Sequence, residues 1–138
     1  MQNETEKLTI NLGVVELSQI DVLVEQGVYS NRSDFIRTAI RRDLEIHRDR
    51  IERSLMPVAH SEGKGKVTLI GVMHLSKKYL NDLLQDNGNE KIRINVIGMI
   101  RIDDDISPAL FEEAVASIVI RGKVIASPNI KKLIEKME

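Results

Sequence analysis

The chain has 138 residues, enough for one ordinary domain or two small ones, and neither half could bury a large core alone. Its 20 basic and 21 acidic residues give a formal charge of -1, which excludes a nonspecific polycation but leaves room for a local basic patch. With no cysteine and only 3% aromatic residues, disulfides, thiolate chemistry and stacking platforms for single-stranded nucleic acid are excluded.

The polar amino-terminus does not read as a signal peptide, and no apolar run approaches the roughly 20 residues of a membrane span, so a cytoplasmic protein is expected. Leu8, Ile10 and Leu12 alternate with Lys7, Thr9 and Asn11, the period-two signature of a short strand with one buried face, and Gly13 ends it. Val15, Leu17, Ile20, Leu23 and Val24 recur at helical spacing and predict a helix over 14–26, stopped by Gly27. A second helix starts near Ser30 or Asn31, puts Phe35, Ile36, Ala39, Ile40 and Leu44 on one face, and is expected to continue through 45–54, with Pro57 as its latest end. Residues 57–66, PVAHSEGKGK, have linker composition.

Three stretches then resemble one another: VTLIGVMHLSKKYL, INVIGMIRIDDDISPAL and IVIRGKVIASPNIKKLI. Each is an apolar strand centred on a glycine and followed by a serine suited to start a helix, with Pro108 and Pro128 fitting the first helical position. In register, Val67, Leu69, Gly71, Met73 and Leu75 share an inward face, as do Ile94, Val96, Gly98, Ile100 and Ile102, and Ile118, Ile120, Gly122, Val124 and Ala126. Three strand-helix repeats predict a parallel sheet with helices on one side. A competing parse is a βαββαβ, ferredoxin-like domain, but the hairpin it needs near Gly98 lacks an Asn-Gly or Asp-Gly turn signal.

The first half poses a physical problem. One strand and two helices leave both strand edges unpaired and the apolar strand face partly bare. Antiparallel pairing with the same strand of a second chain solves it by two-fold symmetry, and the outer face of the ribbon then presents Lys7, Thr9 and Asn11 twice, on a scale the B-DNA major groove admits.

The order EKLTINL, a helix ending in glycine, then YSNRSDFIRTAIRRDL closely resembles the ribbon-helix-helix transcriptional regulators, above all the DNA-binding domain of their nickel-responsive repressor branch, over residues 5–50. With a linker expected over 57–66 from its composition and the three strand-helix repeats expected to form a carboxy-terminal α/β domain over 67–138 for oligomerisation or sensing, the chain reads as α+β, and the resemblance implies for 1–56 an intertwined βαα homodimer that binds DNA. It implies base reading by Lys7, Thr9 and Asn11, and a phosphate clamp of Ser30, Asn31, Arg32 and Ser33. Lysine can donate to guanine and asparagine can pair with adenine, while threonine offers its hydroxyl or methyl. A phosphate at the helix head would also give a reason for Arg32, a cation in the first turn, where the helix dipole disfavours it.

The expected function is therefore a sequence-specific repressor of double-stranded DNA with inverted-repeat operators, dimeric or, through its second half, tetrameric. The alternative is an antitoxin or other interaction protein whose second half binds a partner protein. Glu4 and Glu6 beside the reader strand carry the wrong charge for DNA, so an amino-terminal arm that swings them away is expected. Arg37, Arg41 and Arg42 are expected to be solvated or paired with Asp34, Asp43 and Glu45. Nickel sensing is not expected: His47, His60 and His74 are scattered and the cysteine of that branch is missing. Asp103, Asp104 and Asp105 read as solvated acids before a helix, the outward apolar residues Ile70, Val72, Ile97 and Met99 suggest self-association, and no catalytic constellation, metal or cofactor is expected.

Overall fold

A computed structural model describes residues 5–55 and 65–138, and the chain divides into two compact units, 1–54 and 55–138. Glu4, Pro57, His60 and most of the expected linker lie outside the described residues.

In the first unit, residues 5–13 have no regular secondary structure. The expected strand over Lys7 to Leu12 is thus not a strand within one chain. A strand exists only as a hydrogen-bonded pair, and the described strands all belong to the second unit. Helix α1 (Val14–Glu25) begins where Gly13 N–H donates to the Glu16 carboxylate at 3.3 Å. Its end is a Schellman turn: Val28 N–H reaches Leu23 O and Gly27 N–H reaches Val24 O, both at 3.0 Å, with Gly27 at φ +75°. Helix α2 (Arg32–Ile46) is capped by Asn31. The expected continuous helix is interrupted at His47 (φ -100°, ψ 11°), after which α3 (Arg48–Leu55) resumes. The amide of His47 still reaches Asp43 O and the amide of Ile51 still reaches His47 O, so this is a local distortion between two helices rather than a loop.

The second unit alternates strand and helix: β1 (Lys66–Leu75), α4 (Lys77–Asp86), β2 (Ile92–Ile102), α5 (Pro108–Ala114), β3 (Val115–Ile125) and α6 (Pro128–Met137). The sheet order is β1-β2-β3 and both pairings are parallel, with a bulge where β2 meets the start of β3. Because β2 runs unbroken through Gly98, the ferredoxin-like alternative, which needs a hairpin there, is overturned. Ser76, Ser107 and Ser127 accept from the amides of Tyr79, Leu110 and Ile130, each capping the helix that follows its strand. Met73, Leu75, Ile94, Val96, Ile100 and Ile118 on one sheet face pack with Leu80, Phe111, Ile130 and Ile134 of the helices, which gives this unit a continuous core.

Gly71, Gly98 and Gly122 stand side by side across the sheet, at φ +141°, +135° and +142°. Side chains rarely tolerate that backbone. A Cβ on Gly98 would also collide with the Gly71 carbonyl oxygen, and one on Gly122 with that of Gly98, whereas Gly71 at the sheet edge faces open space. In the sequence these glycines mark only a repeated inward position at the centre of each strand. Their positive φ adds a conformational requirement shared in register by all three strands.

No helix among the described residues is long and apolar enough to cross a membrane.

Candidate nucleic-acid interface

The first unit carries two sets of predicted functional residues. Lys7, Thr9 and Asn11 lie on the irregular amino-terminal segment and are exposed. Their neighbours Leu8 and Ile10 are exposed as well, at 79% and 51%, an unusual state for large apolar side chains in alternation. Behind them opens a groove of about 510 Å³ lined by Ile10, Leu12, Ile20, Leu23, Phe35, Ile36 and Ile40, among others. Of the described residues of this unit only Ile20 is buried. The apolar faces of α1 and α2 therefore point at a space that one chain does not fill.

The second set forms the head of α2. Asn31 is not free: its Oδ1 accepts from Asp34 N–H at 2.8 Å, while the Asp34 carboxylate accepts from Ser30 N–H at 3.0 Å. This reciprocal pair fixes the entry of the chain into the helix and places a carboxylate at its head. The amides of Arg32 and Ser33, first and second in the helix, have no intrahelical acceptor by geometry, and Ser30 and Ser33 are exposed beside them. Two amides and two hydroxyls are what an anion at a helix head uses. Tyr29 meets Phe35 edge to face, with ring centroids 5.1 Å apart at 84°, and braces the turn that precedes the head.

Arg32 has a partner that sequence reasoning missed. Its Nε donates to Asp21 Oδ1 at 2.7 Å and its Nη2 to Asp21 Oδ2 at 2.8 Å, a side-on pair across α1 and α2. The hydrogen bond and charge of Arg32 hold the Asp21 carboxyl below the usual carboxylate range, and Asp21 raises Arg32 in turn. This pairing compensates an arginine in the first turn within one chain, without any ligand. The two residues are 11 positions apart on different helices, so no periodicity rule links them.

The remaining arginines expected to be solvated or paired are solvated, while the acids named as their alternative partners bond elsewhere. Glu45 bonds Arg48, Asp43 lies 3.9 Å from His47, and Asp34 turns to Ser30. Among the described residues no carboxylate pairs with Arg37, Arg41 or Arg42, which are exposed. In the second unit His74 Nε2 bonds the Asp103 carboxylate, Asp104 and Asp105 are exposed, and no three metal-binding side chains converge among the described residues. On the outward face of the sheet Ile70, Val72 and Val119 are exposed, while Met99, expected there too, is buried.

The family model for the ribbon-helix-helix transcriptional regulators matches residues 3–131. The match runs well past the residues 5–50 that carry the resemblance and takes in most of the second unit, whose sequence by itself pointed to no family. Comparison with curated proteins and with solved structures finds no match to this chain.

Proposed function

The chain belongs to the ribbon-helix-helix transcriptional regulator family, whose members bind DNA as dimers, and from that membership we propose a repressor that reads the DNA major groove with a ribbon built by two chains. Residues 7–12 of each chain pair antiparallel, Leu8, Ile10 and Leu12 turn into the apolar groove, and Lys7, Thr9 and Asn11 face the bases. The observation that carries this reading is the coincidence, in one unit, of an unpaired segment with exposed Leu8 and Ile10 and an uncovered groove lined by Ile10, Leu12, Phe35 and Ile36. Folding Leu8 and Ile10 inward in both chains would remove most of the exposed apolar surface of the segment at once.

The head of α2 acts in this reading as the phosphate contact, through the Arg32 and Ser33 amides, the Ser30 and Ser33 hydroxyls and the Arg32 guanidinium, with Asn31 holding the helix start in place. Such contacts fix register and orientation on the duplex and leave sequence discrimination to the ribbon. The operator is an inverted repeat because the reader is two-fold symmetric. Footprinting the full-length protein on the DNA upstream of its own gene tests this. Protection of a palindromic site supports the reading, and uniform weak protection that salt abolishes contradicts it.

The second unit joins dimers into a tetramer through the outward face of its sheet. A purely parallel sheet is normally covered on both faces, and here Ile70 and Val72 on that face are 48% and 50% exposed. A light-scattering mass of four chains at micromolar concentration, falling to two in an Ile70→Glu, Val72→Glu variant, is the expected result. A parent mass of two chains would sink this arrangement and leave the face to a partner protein, the antitoxin-like alternative.

A further inference from the structure

The Asp21–Arg32 pair has a geometry that bears on how the α2 head meets DNA. A guanidinium carries five donors in one plane. Asp21 engages the Nε edge and one hydrogen of Nη2, through both of its oxygens at 2.7 and 2.8 Å. The amino group Nη1 and the outer hydrogen of Nη2 are not used in this pair, and together they form the end-on fork that a phosphate oxygen pair accepts. Arg32 and Asp21 are 55% and 40% exposed, so the pair is open to a third partner.

We propose that Asp21 is a positioning residue for DNA binding, holding Arg32 by one edge so that its opposite edge is presented, already ordered, to a backbone phosphate. The inference rests on the reading of the α2 head as a phosphate contact and adds a residue to it. Ordering a long arginine side chain in advance removes a cost that DNA binding would otherwise carry. The opposite role, in which Asp21 competes with DNA for Arg32, requires the guanidinium to leave. That would strand a carboxylate beside the arriving phosphate, two like charges at close range. Sharing the arginine keeps both anions paired to it. Asp21 stands in the interior of α1, away from either end of the helix, so capping gives no other reason for an acid there.

The test is DNA affinity of the full-length chain for a mixed-sequence duplex, measured over a range of salt concentrations for the parent, Asp21→Asn, Arg32→Ala and the double variant. Asp21→Asn makes the protein more basic, so simple electrostatics raises affinity. Positioning has the opposite sign: a weakening of about three- to tenfold, as expected from ordering one long side chain. In the Arg32→Ala background the same change should no longer weaken binding, because the side chain it positions is gone. If Asp21→Asn binds as tightly as the parent or tighter while Arg32→Ala weakens, Asp21 is not a positioning residue and the inference fails alone. If Arg32→Ala itself leaves affinity and salt slope unchanged, the phosphate role of Arg32 fails and takes the inference with it. Should Asp21→Asn lose its helical circular dichroism, Arg32→Lys decides. A lysine keeps the charge but cannot serve carboxylate and phosphate with one planar fork, so parent-like affinity would overturn the proposal and a weakening close to that of Arg32→Ala would support it.

Discussion

In the proposed DNA complex Asn11 and Arg32 have different tasks, and the difference is measurable. A base-reading asparagine discriminates among sequences, so Asn11→Ala should flatten operator preference, by about 1–3 kcal/mol at the base pair it reads, and spare affinity for unrelated DNA. Arg32→Ala should weaken all sequences alike and lower the salt slope by about one for each phosphate left without its arginine. Competition binding with a randomised operator library separates the two, and identical profiles for both variants would contradict the assignment. The Asp21–Arg32 pair also has a consequence for pH. The Asp21 carboxyl titrates lower folded than unfolded, so its contribution is whole above the ordinary aspartate range and disappears as the pH falls through the lowered value. Acid unfolding of Asp21→Asn should therefore show a shallower low-pH limb than the parent, by a modest amount because the pair is exposed and screened by water. At this scale the head of α2 was legible in the sequence, since Ser, Asn and Asp before an apolar period mark a helix start. The partner of Arg32 was not, because it depends on how two helices are folded back on each other.

At the scale of elements, most boundaries follow from local chemistry. Gly27 ends α1 through its positive φ, and three serines start three helices by accepting an N3 amide, both of which a sequence displays. The interruption of the helix at His47 had no such marker, since its neighbours are ordinary helix formers. The glycines of the sheet were visible as a repeating position, but their φ values become readable only once strand register sets Gly71, Gly98 and Gly122 side by side. They differ in surroundings, and substitution separates the two effects. Gly71→Ala meets open space and should cost only the backbone strain, about 1–3 kcal/mol. Gly98→Ala suffers the same strain and drives a methyl into the Gly71 carbonyl, so it should destabilise the second unit more. Urea unfolding of the two variants compares them directly, and equal destabilisation would mean that the sheet relaxes around the central strand.

At the scale of the whole molecule the two units differ in how complete they are. The second has a continuous buried core of strand and helix residues, from Leu75 and Val96 to Phe111 and Ile130. The first buries only Ile20 among its described residues and leaves Leu8, Ile10, Ile40 and Leu44 exposed. A sequence records this contrast poorly, because Leu8, Ile10 and Leu12 carry the same alternating pattern whether the strand pairs within its chain or with another. The strand was legible as a pattern; its partner had to be inferred from the missing edges. The family match over 3–131 adds that both units are parts of one kind of protein, although the resemblance was readable only in the first.

The central claim is that residues 7–12 are completed by the same residues of a second chain. Its most direct test is an isotope-filtered NMR experiment on the full-length protein, mixing labelled with unlabelled chains. The account predicts cross-chain proximity between the backbones of residues 7–12, antiparallel about a two-fold axis, and between Leu8 or Ile10 of one chain and Phe35 or Ile36 of the other. Signals joining these residues only within their own chain, in a protein that still binds DNA, would contradict it.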